Sequence, residues 1–184
     1  MTIKKRQYAD DDTSSIKSLA LMRAPSLALG LLFGALLSFI TSRFEVVLTH
    51  NVEVAYFIPF IVYVADAVGT QTQSIYIRDL RSGKANFHKY LFKETILGLI
   101  FGSLFGLTVA LVALWWFGST ELALATSLAT LISITTAPLV AVLVSHAFEI
   151  EHTDPAVGAG PLTTVIQDTL SVLIYGSIAT FILV

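Results

Sequence analysis

Cysteine is absent from this 184-residue chain, which excludes disulfides, thiolate metal sites and cysteine nucleophiles. Charge is scarce. Asp, Glu, Lys and Arg together make up 13% of the residues, about half of what a soluble domain carries. The net charge of -2 says little about partners. No basic patch interleaved with aromatics lies outside the apolar stretches, so nucleic-acid binding has no support. What is abundant is apolar: 55% of residues are hydrophobic and mean hydropathy is +0.78. These residues fall in long blocks of the length a bilayer needs, roughly 20 per helix. The composition therefore reads as an all-α integral membrane protein with one compact domain.

Residues 1–22, "MTIKKRQYADDDTSSIKSLALM", are polar and mixed in charge, and read as a flexible tail or a short surface helix. The "KKR" is separated from the first apolar block by many polar residues, and no small-residue cleavage site follows it, which argues against a cleaved signal. A five-helix membrane domain is expected over 23–184, with spans near 25–48, 55–77, 95–117, 122–145 and 161–184. The first two spans are joined by "THNVE" and the second and third by the basic "RDLRSGKANFHKYLFKE" with its Ser-Gly turn signal. Lys4, Lys5, Arg6, Lys17 and Arg23 precede the first span, and Arg78, Arg81, Lys84, Lys89 and Lys93 flank the second loop. Only Arg43 falls on the other side. The positive-inside rule then puts the N-terminus in the cytoplasm and, after five spans, the C-terminus outside. The expected location is the cell membrane, with multiple passes.

Small residues recur every fourth position in two spans. Gly98, Gly102 and Gly106 line the third, and Gly30, Gly34 and Ser38 the first. Such stripes let helix backbones approach closely in lipid, and packing within one subunit is favoured over a dimer seam. Pro138 is expected to kink the fourth span. Thr126, Thr130 and Ser133 share a face there, and hydroxyls of this kind commonly bond their own helix backbone. Glu94, beside Lys93, reads as a helix-end charge.

The informative residues in lipid are the polar ones. In "VADAVGTQTQSIYIRD", Asp66, Gly69, Thr70 and Gln73 fall at i, i+3, i+4 and i+7, one helical face. Ala67, Gln71 and Ser74 lie on the adjoining stripe. In the last span Thr164, Gln167, Asp168, Ser171 and Tyr175 repeat that spacing. Each helix thus presents a polar face with one carboxylate. An aspartate at a helix centre costs about 2.5–3.5 kcal/mol to insert, and no basic residue in any span is placed to offset two of them. Protonation, an aqueous cavity or a bound cation remain. Neighbouring hydroxyls and amides supply the oxygen ligands that hard cations and their waters prefer, which favours a cation path over two protonated, merely structural aspartates.

The last loop, "HAFEIEHTDPAVGAG", gathers His146, Glu149, Glu151, His152 and Asp154. It reads as an acidic vestibule that concentrates divalent cations, or as a plain solvated loop. Paired intramembrane aspartates also occur in aspartyl proteases, one as base and one as acid. The Gly-x-Gly-Asp and Tyr-Asp signatures of those enzymes are missing from "VADAVG" and "VIQDTL", so a non-enzymatic role is expected.

From Arg23 onward the chain resembles the MgtE-type magnesium channels and their solute-carrier relatives. That family's second membrane helix carries a proline, then Gly-Gly-Asn, a glycine and a glutamine, ending near Arg-Gly-Leu. Here "PFIVYVADAVGTQTQSIYIRDL" retains Pro59, Gly69, Gln71, Arg78 and Leu80. Its last helix opens with Asp-Pro-Ala, then a proline, then an aspartate within the membrane. Here these are Asp154, Pro155, Ala156, Pro161 and Asp168. Where the family has Gly-Asn, this chain has Asp66 and Ala67, so one polar group is lost and a carboxylate gained.

The resemblance implies a homodimer of five-helix subunits, with an ion path on the two-fold axis lined by the second and fifth helices. By it, Asp168 holds hydrated Mg2+ at the narrow part of the path, the Thr164 carbonyl faces the ion one turn earlier, and Asp154 sits at the cytoplasmic end. Asp66 is a candidate second ion group. Gly69, Thr70, Gln71, Gln73, Gln167 and Ser171 are candidate lining residues, and Glu149, Glu151 and His152 candidate vestibule residues. The family's cytosolic regulatory domains cannot fold from a tail of about 22 residues, which leaves room for a separate regulatory subunit. The expected function is a divalent-cation channel or transporter, most simply for Mg2+. Alternatives are a preference for Mn2+, Co2+ or Zn2+, and proton coupling.

Overall fold

The apolar blocks form five long helices and one short one. In the computed structural model, which describes residues 12–151 and 155–184, these are α1 (Ile16–Ser42), α2 (Glu45–His50), α3 (Val52–Arg81), α4 (Phe87–Phe117), α5 (Thr120–Ile150) and α6 (Pro155–Leu183). The five long ones are each long and apolar enough to cross a membrane. Among the described residues there is no strand.

The helices overrun the spans expected from hydropathy, and the reason is geometric. α1 has 27 residues and α4 has 31, or about 40 and 46 Å at 1.5 Å per residue. The hydrocarbon layer is only about 30 Å thick, so hydropathy marks the buried middle while charged terminal turns continue the same helix. The first span starts at Ile16 rather than 25, inside the expected tail, with Ser15 as N-cap accepting from the Ser18 N–H. It also ends early: a break at Arg43 and Phe44 sets α2 apart, and only Asn51 separates α2 from α3. The expected basic loop is mostly helical. α3 runs to Arg81, and α4 begins at Phe87 behind an Asn86 N-cap that accepts from the Lys89 N–H. The Ser-Gly turn is present, with Gly83 at φ 69. Gly118, at φ 65, closes α4, and Ser119 caps α5. α5 runs through Pro138 without interruption.

α5 is the hub. α4 packs along one side of it, α3 and α6 pack against the rest and against each other, and α1 packs on α6 at the periphery. The α4 glycines account for the first of these contacts. A Cβ on Gly98, Gly102 or Gly106 would come within 2.9, 2.7 and 2.9 Å of α5 backbone atoms at Thr135, Leu131 and Ser127. Packing within the chain is thus what this stripe serves. The similar stripe on α1 is open, since nothing lies within 4 Å of a Cβ built on Gly34.

The bundle has two unlike ends, named here after their turn glycines. At the Gly118 end the core is apolar: Val54, Phe57 and Ile61 of α3 meet Leu122, Tyr175 and Ala179, with Val47 of α2 joining them. Phe44 lies against Gly176, where a Cβ would come within 2.5 Å of its ring, which docks the α1–α2 corner onto α6. Trp115 and Trp116 are exposed at this end, as in the aromatic belts of membrane interfaces. Toward the Gly83 end the interior becomes polar.

Candidate functional site

The polar faces of α3 and α6 meet, and their meeting divides the residues read from the sequence into two groups. Gly69 and Gln73 of α3, with Thr163, Gln167, Ser171 and Tyr175 of α6, are buried. They form a seam with α5. Gln73 Nε2 donates to Thr163 Oγ1 at 2.8 Å and to Ser145 Oγ of α5 at 3.4 Å, tying three helices at one point. One turn along, the Gln167 carboxamide lies so close to Gly69 that a Cβ there would overlap Oε1. Neither Gln167 Oε1 nor Nε2 has a hydrogen-bond partner, and the same holds for Ser133 Oγ and Tyr175 OH. Gly69 is small here because an amide occupies its side-chain space.

The second group lies on the flank of the same helix pair. Asp66, Thr164 and Asp168 are half-buried, and Thr70 and Gln71 are exposed. Asp168 Oδ1 is shut off from solvent without a hydrogen-bond partner. Asp66 lies within electrostatic reach of it. Carboxylates beside hydroxyls are hard oxygen donors, suited to a dication or its water shell. Among the described residues no three His, Asp or Glu side chains converge on a point.

A third assembly, at the Gly83 end, was not legible in the sequence. Thr72 donates to Glu94 Oε2 at 2.7 Å, so Glu94 joins α4 to α3 instead of serving as a helix-end charge. Tyr90 donates to Asp79 Oδ2 at 2.6 Å, and Tyr76 shares a 3.0 Å hydrogen bond with His146 Nδ1. The His146 ring stacks on Phe87 at 4.3 Å. His146 is thereby committed to packing, whatever the vestibule does. Of the other vestibule candidates, Glu149 is half-buried and Glu151 exposed. His152 and Asp154 lie outside the described residues.

Sequence reasoning also passed over Thr163 and Ser145. Thr163 precedes Gln167 by one turn, so its place in the stripe was available. Ser145 had no such signal, because its role depends on α5 lying across both other helices. On α5 itself, Thr126 and Thr130 bond backbone carbonyls one turn back, at 2.9 and 2.7 Å, as expected.

The family model described as MgtE, a divalent cation transporter, matches residues 58–178. The chain belongs to the MgtE family. It is 33% identical over 167 residues to the magnesium transporter MgtE of Bacillus subtilis (strain 168), covering 88% of this chain and 36% of that protein. It is 32% identical over 161 residues to the magnesium transporter MgtE of Enterococcus faecalis (strain ATCC 700802 / V583), covering 86% and 36%. The chain thus spans about a third of the length of these MgtE relatives. The matched stretch holds most of α3, all of α4 and α5, and α6 through Ile178, so both Asp66 and Asp168 lie inside it. Membership in a family of transporters removes the protease reading of the two aspartates. With five helices of spanning length, it places the chain in a lipid bilayer.

Proposed function

We propose that this chain moves divalent cations, Mg2+ foremost, across the membrane, with Asp168 as the principal ion-facing group. The observation that carries this reading is the Asp168 carboxylate. One of its oxygens is buried without a partner on the α3–α6 flank, with a second carboxylate, Asp66, within electrostatic reach. In a membrane interior such a pair is costly and favours proton uptake or a counter-cation. Mg2+ dehydrates reluctantly, so carboxylates that bind its waters select on the size of the hydrated ion. In the working form two copies of the chain face each other across a two-fold axis. α3 and α6 line the path, with the N-terminus cytoplasmic and the C-terminus outside. The names of the relatives support Mg2+ as cargo, and the half-buried setting of Thr164 and Asp168 supports a flank completed by a second copy.

The test is Mg2+ flux into proteoliposomes. Asp168→Ala is expected to reduce flux at least about tenfold, the loss of a single transition-site interaction of about 1.4 kcal/mol or more. Wild-type flux in that variant would remove the reading. Competition by Mn2+, Co2+ and Zn2+ in the same assay ranks the cargo. The proximity of Asp66 to Asp168 also favours a second reading, in which the pair shares a proton that is exchanged for the ion. In that case flux follows an imposed pH gradient, and Asp66→Asn removes the dependence.

A further inference from the structure

The start of α3, the α4–α5 turn and the end of α6 converge at the Gly118 end on a cavity of about 170 Å³, lined by Asn51, Glu53, Phe117, Ser119, Leu122 and Leu183. None of these residues has a part in the carboxylate flank. Two of the polar ones are uncommitted. Ser15, Asn86 and Ser119 each cap the helix that follows them, as side chains at that position ordinarily do. Asn51 stands at the same position of α3, and its side chain makes no such bond. Among the described residues nothing hydrogen-bonds or pairs with the half-buried Glu53 carboxylate either. Ser119 accepts from the Leu122 N–H and donates to Glu121, which leaves its oxygen one lone pair. The rest of the wall is a phenyl ring and two leucine side chains, and no basic residue lines it.

We infer that this cavity takes the primary ammonium of an aminophospholipid headgroup. One carboxylate calls for a single positive charge. An ammonium carries three N–H donors, and Glu53, Asn51 and Ser119 supply oxygen acceptors for them. The carbons behind the ammonium meet Leu122 and Leu183, and an aromatic ring such as Phe117 attracts a cation further. A hydrated dication is a poor match. One carboxylate leaves it half-neutralised, and Mg2+ keeps waters that apolar walls cannot bond. An anion is repelled by Glu53. The volume is below the roughly 300–1,000 Å³ of pockets for drug-sized ligands, which suits a headgroup. Depth in the membrane sets the source. Trp115 and Trp116, next to Phe117 in the chain, and Tyr56, 6.1 Å from its ring, are exposed. Such aromatic belts lie at headgroup level in a bilayer, so the ammonium arrives on a lipid.

Native mass spectrometry of the full chain tests this, with the protein released from nanodiscs holding equal fractions of dioleoyl phosphatidylethanolamine, phosphatidylcholine and phosphatidylglycerol. Choline has the positive charge but no N–H donor, and glycerol has no charge. The ethanolamine lipid is expected to be retained several-fold more than either. Glu53→Gln is expected to bring it down to the choline level and to leave the other two as they were. Equal retention of the ethanolamine and choline lipids by the wild type overturns the inference, and that comparison decides the matter even if the variant fails to fold. An ethanolamine preference that Glu53→Gln leaves intact also overturns it, since the ammonium is then held elsewhere. Two additions to the wild type check the source, and neither is expected to displace the lipid at equal concentration. Displacement by free ethanolamine makes the ligand a soluble amine, and displacement by Mg2+ makes the cavity a metal site; either result overturns the lipid assignment. Ion flux is not read in this experiment, so its failure leaves the reading of Asp168 untouched.

Discussion

Gln73 and Gln167 are the same side chain, set on facing helices one turn apart and nearly equally buried, at 7% and 2% exposure. Gln73 has found two hydroxyls, on α6 and α5. Gln167 has found none in the protein. The difference lies in α5. At the level of Gln73 it presents Ser145, and along the next two turns of the same face it presents Ala141 and Ala137. Burial of a polar group therefore has two meanings in this bundle. One amide is a tie between helices, and the other is packed against Gly69 without a partner from the protein.

The comparison can be broken by substitutions in the seam. Gly69→Leu should have the largest effect. Its side chain must occupy the space of the Gln167 carboxamide, and overpacking of this kind costs about 1–3 kcal/mol. A clearly lowered unfolding midpoint in detergent checks it. Gln73→Leu should come next. It removes the 2.8 Å bond to Thr163 and the long 3.4 Å one to Ser145, together about 1 kcal/mol at the average of about 0.6 kcal/mol per interhelical bond in a membrane. Thermal unfolding should show this loss, and Thr163→Val should reproduce part of it. Gln167→Met should be the smallest, within about 0.5 kcal/mol of wild type, because removing a polar group along with its need for partners is nearly neutral. If Gln167→Met destabilised as much as Gln73→Leu, the two amides would be equivalent and the distinction would fall.

A similar contrast separates the two glycine stripes. Gly98, Gly102 and Gly106 on α4, and Gly30, Gly34 and Ser38 on α1, are alike in spacing. On α4 the stripe meets α5 backbone at each glycine. On α1 a Cβ at Gly30 would find only Val165 Cγ2, at 3.9 Å, and at Gly34 nothing within 4 Å. A small-residue pattern states what a helix permits. Whether a backbone arrives to use that permission depends on the topology of the bundle.

Much of the molecule was readable before any coordinates. The number of spanning helices follows from blocks of apolar residues, because a bilayer has a set thickness and lipid offers the backbone no other partners. Asp66 and Asp168 stood out because a carboxylate in hydrocarbon is costly enough to need a reason. The turn at Gly83 was signalled by the Ser-Gly pair in the basic loop, and the left-handed backbone there is one that glycine adopts freely. These are properties of single segments, and single segments carry them in their residue order.

Helical periodicity could not divide a polar face. Asp66 and Gln73 share one stripe of α3, and Asp168 and Gln167 are neighbours on α6, yet the carboxylates stand on a flank while the amides go inward. Nothing local forces that separation. It arises because α5 crosses behind the α3–α6 pair and buries one edge of each stripe, leaving the other half-open. Glu94 and His146 illustrate the same point, being drawn into contacts with Thr72 and Tyr76 only once the helices are packed. The residue order determined what must be hidden from lipid. The packing of three helices decided which polar groups meet each other, because a helical stripe is wider than any one contact made along it.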